Sequence, residues 1–218
     1  MAEKELKKSP QKRHFVKREA IDFGFNIAKK NILFFIGIFV IWILVSFISS
    51  SIQNGLSSQK QYFFSFLFGL VAWVATSILS MGIINVMLEF VDGKKPELKD
   101  LYYKKKVFNF ILASILRPLI VIAGLILFII PGVIFAIKFQ FSEYLIVDKK
   151  MDAIESLQAS WEMTKGVKWN LFLFGLLLGL INLLGLLCLI VGLIITVPLS
   201  MLATAYVYRK LLSQTVLK

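Results

Sequence analysis

The chemistry this sequence can offer lies in four residues: Arg117, Lys138, Gln140 and Glu143. Each sits inside a long apolar stretch. An ionised side chain at the middle of a bilayer costs at least about 2.5–3.5 kcal/mol, and it usually marks a ligand site, a relay or an ion pair. Arg117 lies ten residues in from Val107, about 15 Å at helical rise. Counting back from Asp148, Lys138 is equally deep and Glu143 about half as deep. Two cations at one depth repel, and Glu143 can neutralise only one of them with good geometry. A lipid phosphate is the expected counter-ion of the other, with Arg117 offering a bidentate fork and Lys138 a point charge. Pro118 is expected to kink or shorten the helix that carries Arg117. The structural alternative is a salt bridge to Glu143, or snorkelling of the cations to the headgroups.

Other chemistry is excluded by count and pattern. The chain has one His and one Cys, which removes disulfide frameworks, zinc sites and paired-thiol redox chemistry. His14 has no partner in sequence, and Cys188 reads as an apolar filler. There is no GxSxG, HExxH, Walker loop or dinucleotide-binding glycine pattern. No catalytic residue, metal ligand or cofactor is therefore expected, and the chain reads as non-enzymatic.

The elements that must position the four residues are membrane helices. Of 218 residues, 58% are hydrophobic and only 17% charged, against about 45–50% and 25% in a soluble domain. Charge-free stretches cover 32–52 and 61–88; a longer apolar stretch runs over 107–147 and a longer charge-free one over 169–208. The last two are each about 60 Å of helix, enough for two crossings of a roughly 30 Å core. Pro131-Gly132 is the expected turn in the first of these. The fold expected is an all-α polytopic membrane protein with six transmembrane helices as three hairpins, at about 31–90, 107–148 and 168–210. These lie within one domain over 15–212, with a basic disordered tail over 1–14 and a short tail over 213–218.

Of the 25 Lys and Arg, 22 flank the same side and Lys60 alone the other. The positive-inside rule then puts both termini on the cytoplasmic side. Hairpins two and three align without gaps at an offset of 61: Asn109 falls on Asn170, Gly124 on Gly185, Pro131 on Gly192 and Lys149 on Lys210. This reads as an internal repeat.

A short cytoplasmic amphipathic helix is expected before each hairpin. The first has Val16, Ala20, Phe23 and Ile27 on one face. The second starts at Pro96 and carries Leu98, Leu101 and Tyr102. In the third, Ile154, Leu157 and Trp161 oppose Glu155, Gln158, Glu162 and Lys165, with Asp152 and Glu155 as a capping box and Gly166 as the stop. Such helices lie in the inner interface. Gly175 and Gly179 form a GxxxG, a pattern that serves close helix approach. The Lys-rich first residues would be drawn to anionic lipid, and no basic fold surrounds them to suggest nucleic acid.

The run Ile130-Pro131-Gly132-Val133-Ile134-Phe135-Ala136-Ile137-Lys138-Phe139, then Tyr144-Leu145-Ile146-Val147-Asp148, then Asp152-Ala153-Ile154-Glu155-Ser156-Leu157-Gln158-Ala159-Ser160-Trp161-Glu162-Met163-Thr164-Lys165-Gly166 resembles the membrane domain found beside bacterial glycerophosphoryl diester phosphodiesterases, with Ile154-Glu155 a departure from that pattern. It is also similar to the YciC-type family of uncharacterised inner-membrane proteins. The resemblance covers most of 15–212 and implies six spans and a link to glycerophospholipids. It brings no catalytic barrel. The function expected is a non-enzymatic membrane scaffold or lipid-handling module. Its expected partners are anionic membrane phospholipids and a cytoplasmic or membrane protein. The alternative is a transporter of a lipid or small amphiphile through hairpin two.

Overall fold

A computed structural model describes residues 13–58, 62–103, 105–188 and 192–215. Most of the expected basic tail, and the last residues of the short one, lie outside the described residues. Within them the chain is all-α. In order it forms α1 (Lys17–Lys30), α2 (Ile32–Ser58), α3 (Tyr62–Val91), a 3-10 turn (Leu98–Leu101), α4 (Val107–Leu127), α5 (Ile129–Lys138), α6 (Ser142–Lys149), α7 (Ala153–Met163), α8 (Lys168–Leu187) and α9 (Leu193–Leu212).

Five segments are long and apolar enough to cross a membrane: α2, α3, α4, α5 with α6 taken as one rod, and α8. Backbone polar groups have no partner in hydrocarbon, so apolar runs of this length close their hydrogen bonds internally as helices. The sixth expected span, α9, is not among the five. It carries Pro198 and ends in Arg209 and Lys210, and it packs against α1, α2, α3 and α8. A helix so enclosed by protein needs less apolar surface.

Burial is concentrated where the basic residues are. Met81, Val86 and Met87 of α3, Leu145 and Ile146 of α6, Met163 of α7, and Leu202, Val207 and Leu211 of α9 are all buried. At the opposite ends Phe47, Ile126 and Leu187 are exposed. Lipid tails are as apolar as leucine, so a bilayer gives no drive to bury those ends against protein.

The turn inside hairpin two is one residue, Phe128, in extended conformation; it is not Pro131-Gly132. Pro131 sits in the first turn of α5, where its missing N–H costs nothing. Gly132 is needed for a different reason: a Cβ there would stand 2.8 Å from the backbone nitrogen of Leu125, and one on Gly124 would stand about 3.0 Å from the backbone of Gly132. Where α8 ends and α9 begins, the carbonyl carbon of Gly185 lies 3.0 Å from where a Cβ on Gly192 would stand. α4 and α8 begin at Val107 and Lys168, 61 residues apart. α4 runs through Pro118 without ending there.

The three preceding segments differ from the uniform set expected. α1 lies along α9, with Ala20, Gly24 and Ala28 buried and Gly24 against Leu199 and Ala203. The second segment is only the four-residue 3-10 turn, closed by reciprocal bonds between Glu97 and Asp100. Its Leu101 is buried against Gly82 of α3 while Leu98 and Tyr102 are exposed. α7 has the expected capping box from Asp152 and Glu155, and Gly166 follows at φ +83°. Residues 13 and 14, expected in the tail, are docked. Arg13 donates to the carbonyls of Glu162 and Lys165 at the C-terminal end of α7, where the helix dipole favours a cation. The His14 N–H donates to Gln214 at 2.8 Å, and Gln214 returns a 2.9 Å bond.

Candidate functional site

The four polar residues of hairpin two separate into a pair and a break. Arg117 on α4 meets Glu143, in the first turn of α6, at 3.4 Å with both side chains part-buried. That pair neutralises Glu143, the carboxylate nearer the helix interruption. Lys138 ends α5, Gln140 lies in the three-residue interruption at 139–141, and α6 resumes at Ser142. The expected single fourth helix is thus two, so counting residues back from Asp148 overstates the depth of Lys138.

The interruption is closed by α7. The Ser160 hydroxyl donates to the Lys138 carbonyl at 2.7 Å and accepts from the Phe141 N–H at 3.2 Å. Ser142 donates to the Phe139 carbonyl at 2.9 Å. A helix broken at this position frees backbone groups that would each cost several kcal/mol in hydrocarbon, and one buried serine satisfies two of them. Nε2 of Gln140 remains buried without a hydrogen-bond partner.

Lys138 is 6% exposed. Its Nζ stands 2.8 Å from the ring centroid of Trp161. That indole packs at 6.2 Å on Phe135 and 5.6 Å on Phe139. A desolvated cation over an indole gains about 2 kcal/mol, which offsets only part of its burial. The charges acting on it are repulsive from Lys168 and Lys165 and attractive from Glu162. Glu162 is bound to Lys165 at 2.6 Å. Among the described residues neither Lys138 nor Lys168 has a carboxylate within ion-pair distance.

The face that α7 buries is not the one its periodicity suggested. Ala153, Ser156, Ser160 and Met163 are buried together with Leu157, while Ile154 is 62% exposed. The serines can be buried because each hydroxyl bonds a carbonyl, Ser156 that of Ala153 and Ser160 that of Lys138. Ile154, Leu157 and Trp161 instead line one side of a groove of about 540 Å³, with Ile120 of α4 and Phe139 opposite. At the start of α7, Asp152 takes bonds from Lys106 at 2.7 Å and Asn109 at 2.8 Å. The bonded ammonium of Lys106 holds the Asp152 carboxyl below its ordinary pKa.

A second polar cluster escaped the sequence reading. The Arg209 guanidinium forks to Asp92, in the turn just after α3, and Asp148 of α6, both at 2.7 Å. The Tyr208 hydroxyl donates to the same Asp148 oxygen at 2.8 Å. Tyr103 donates to the Val147 carbonyl at 2.8 Å; burial, then the charge of Asp148, push its phenol above the usual range. Asp148 and Arg209 are 61 residues apart, the offset at which the sequences of hairpins two and three were aligned. Among the described residues no three His, Cys, Asp or Glu side chains converge on a point that could hold a metal ion.

Comparison with known proteins gives distant relatives. Over 151 residues, 66% of this chain, it is 29% identical to the "Uncharacterized protein Rv2560" of Mycobacterium tuberculosis and to the "Uncharacterized protein Mb2590" of Mycobacterium bovis. The aligned region is 43% of each relative, so the chain spans less than half the length of the curated relatives it matches. No solved structure matches the chain. No family model matches it either, and its shown kinship is therefore this distant similarity to mycobacterial proteins of uncharacterised kind.

Proposed function

We propose that the chain is a non-enzymatic, multi-pass protein of a bacterial cytoplasmic membrane, that it binds an anionic glycerophospholipid from the inner leaflet, and that it acts as a scaffold or lipid-handling module. The observation that carries the reading is Lys138: a cation 6% exposed, repelled by Lys168, with no carboxylate within ion-pair distance among the described residues. A lipid phosphate supplies the anion. The resemblance of 130–166 to the membrane domain of glycerophosphoryl diester phosphodiesterases supports a glycerophospholipid. Arg117 and Glu143 serve each other, so the headgroup falls to Lys138 and Lys168, with the unpartnered Gln140 amide as a further donor.

Lipid retained by the protein purified in mild detergent tests this by mass spectrometry. Lys138→Gln is expected to lower retained anionic lipid about tenfold, the effect of one charge-assisted hydrogen bond, and to leave zwitterionic lipid unchanged. Wild-type retention in that variant would overturn the reading. Transport of a lipid or small amphiphile is the second reading. The helix interruption at 139–141 favours it, because broken helices line the paths of many transporters; flux of labelled glycerophospholipid from proteoliposomes distinguishes the two.

Six spans with both termini inside follow from the basic residues and from α9 as the repeat partner of α5 and α6. Cys188, exposed at the end of α8, is expected to react with an impermeant maleimide applied outside spheroplasts. A cysteine at exposed Glu155, placed in a Cys188→Ser background, should react only after permeabilisation. Labelling of position 155 in intact spheroplasts would refute the topology.

A further inference from the structure

Lys138 is 6% exposed beneath the Trp161 ring, so a headgroup reaches its ammonium only when that ring moves. Part of what holds the ring lies far away in sequence. Trp161 is in the last turn of α7. The carbonyls at that end, those of Glu162 and Lys165, accept from the Arg13 guanidinium. The Glu162 carboxylate takes Lys165 instead, at 2.6 Å.

Three successive residues fasten this stretch of chain to three places. Arg13 takes the end of α7. The His14 main chain is paired in both directions with the Gln214 side chain, just past α9. Phe15 is 3% exposed, with its ring edge-on to Phe174 of α8 at 5.7 Å. The corner between α7 and α8 lies under this cover. Met163 and Val167 stand on either side of it and belong to the same buried core as Phe15 and Phe174. Gly166, between them, has φ +83°, and glycine is the least restrained residue of the chain. α7 itself has 11 residues, a length that is marginal for an isolated helix. Its start is fastened separately, by Lys106 and Asn109 to Asp152. Among the described residues, the hydrogen bonds that join its last turn to other segments are those of Ser160 and of Arg13.

We propose that residues 13–15 are a strap that keeps Trp161 closed over Lys138, and that release of Arg13 from the end of α7 opens Lys138 to the headgroup. What enters rests on the reading above; the gate itself does not. The strap suits release because its grip on α7 is light. Arg13 binds neutral carbonyls at an exposed helix end, where a cation contributes no more than about a fivefold bias. His14 and Phe15 keep the strap in place when that grip is lost, so the gate opens without unfolding the chain.

The test uses the full chain in nanodiscs of phosphatidylcholine, where no anionic lipid competes. Sulfosuccinimidyl acetate, which is water-soluble, acetylates accessible amines, and peptide mass spectrometry gives the rate at each lysine. Arg13→Ala is expected to raise the rate at Lys138 about fivefold and to leave exposed Lys150 unchanged. Arg13→Lys should behave as wild type, since an ammonium also suits the carbonyls of a helix C-terminus. Trp161→Ala should open Lys138 by itself. Adding Arg13→Ala to it should change nothing further, because both act through one gate. A wild-type rate at Lys138 in Arg13→Ala overturns the proposal. So does an Arg13→Ala effect that persists in full on Trp161→Ala, since the strap would then act elsewhere. Amide exchange separates a gate from general loosening: the buried stretch of α3 from Met81 to Phe90 should keep its protection in Arg13→Ala, and faster exchange there overturns the proposal. The headgroup reading fails differently. Trp161→Ala would expose Lys138 to the reagent and yet, in vesicles containing phosphatidylglycerol, retain no more of that lipid than the Trp161→Ala, Lys138→Gln double variant.

Discussion

Arg209→Leu is expected to lower the stability of the detergent-solubilised protein by about 3 kcal/mol, the lower end of the cost of breaking a buried ion pair. The guanidinium holds two carboxylates from different hairpins, Asp92 and Asp148, each at 2.7 Å. Asp148 has only 13% of its side chain exposed, and its remaining cation, Lys149, stands at 3.6 Å. Without Arg209 the two carboxylates face each other across a part-buried gap. Lysine should not rescue the variant, because one ammonium cannot reproduce a planar fork to two acids. Adding Asp92→Asn and Asp148→Asn to Arg209→Leu should recover most of the loss, since the penalty comes from uncompensated charge more than from the lost bond. Nε of Arg209 is already buried without a partner, so the native cluster is itself imperfect. Thermal unfolding followed by tryptophan fluorescence measures all three variants. Wild-type melting of Arg209→Leu would show that the cluster holds nothing.

Gly82→Ala should be nearly as damaging, at about 2–3 kcal/mol, the range for forcing extra atoms into a packed core. A Cβ there would lie 2.6 Å from the carbonyl carbon of Leu101 and 2.9 Å from its Cα. Those are backbone atoms, so no rotamer change relieves the contact. The 3-10 turn must move off α3, exposing Leu101 and breaking the 3.3 Å bond from Asn85 to the Asp100 carbonyl. Gly37→Ala is the control, because its Cβ would meet only the Leu98 side chain at 3.9 Å. A Gly82→Ala protein that melts with the control would show that the turn is not anchored there.

What could be read from the sequence was what depends on local periodicity and length. Charge-free runs located the five apolar segments, because spanning hydrocarbon sets a minimum length on a helix. The Asp152 and Glu155 capping box and the Gly166 stop are likewise local, with every partner within four residues. The turn of hairpin two misled because Pro-Gly marks both turns and helix starts; the deciding contact, Gly132 on Gly124, is tertiary. α7 misled for a similar reason. Its serines look polar in a periodicity count, yet hydroxyls bonded to carbonyls can be buried, and the apparent apolar face was left lining a groove. At the site, the opposite charges of Arg117 and Glu143 announced a pair. The contact of Lys138 with Trp161 had no such mark, because an indole carries no formal charge. Asp148 with Arg209 was legible in principle: the offset of 61 that aligned Lys149 with Lys210 also aligns the residues just before them.

The serine that closes the interruption in hairpin two has a consequence for synthesis. Ser160 is 22 residues further along the chain than Lys138 and 19 beyond Phe141. At about 5–20 residues per second of translation, the broken helix leaves the ribosome roughly one to four seconds before its partner does. During that interval the Lys138 carbonyl, the Phe141 amide and the Lys138 ammonium are all without their final contacts. The hairpin therefore reaches its final hydrogen bonding only after α7 has been made and Ser160 docks on the interruption.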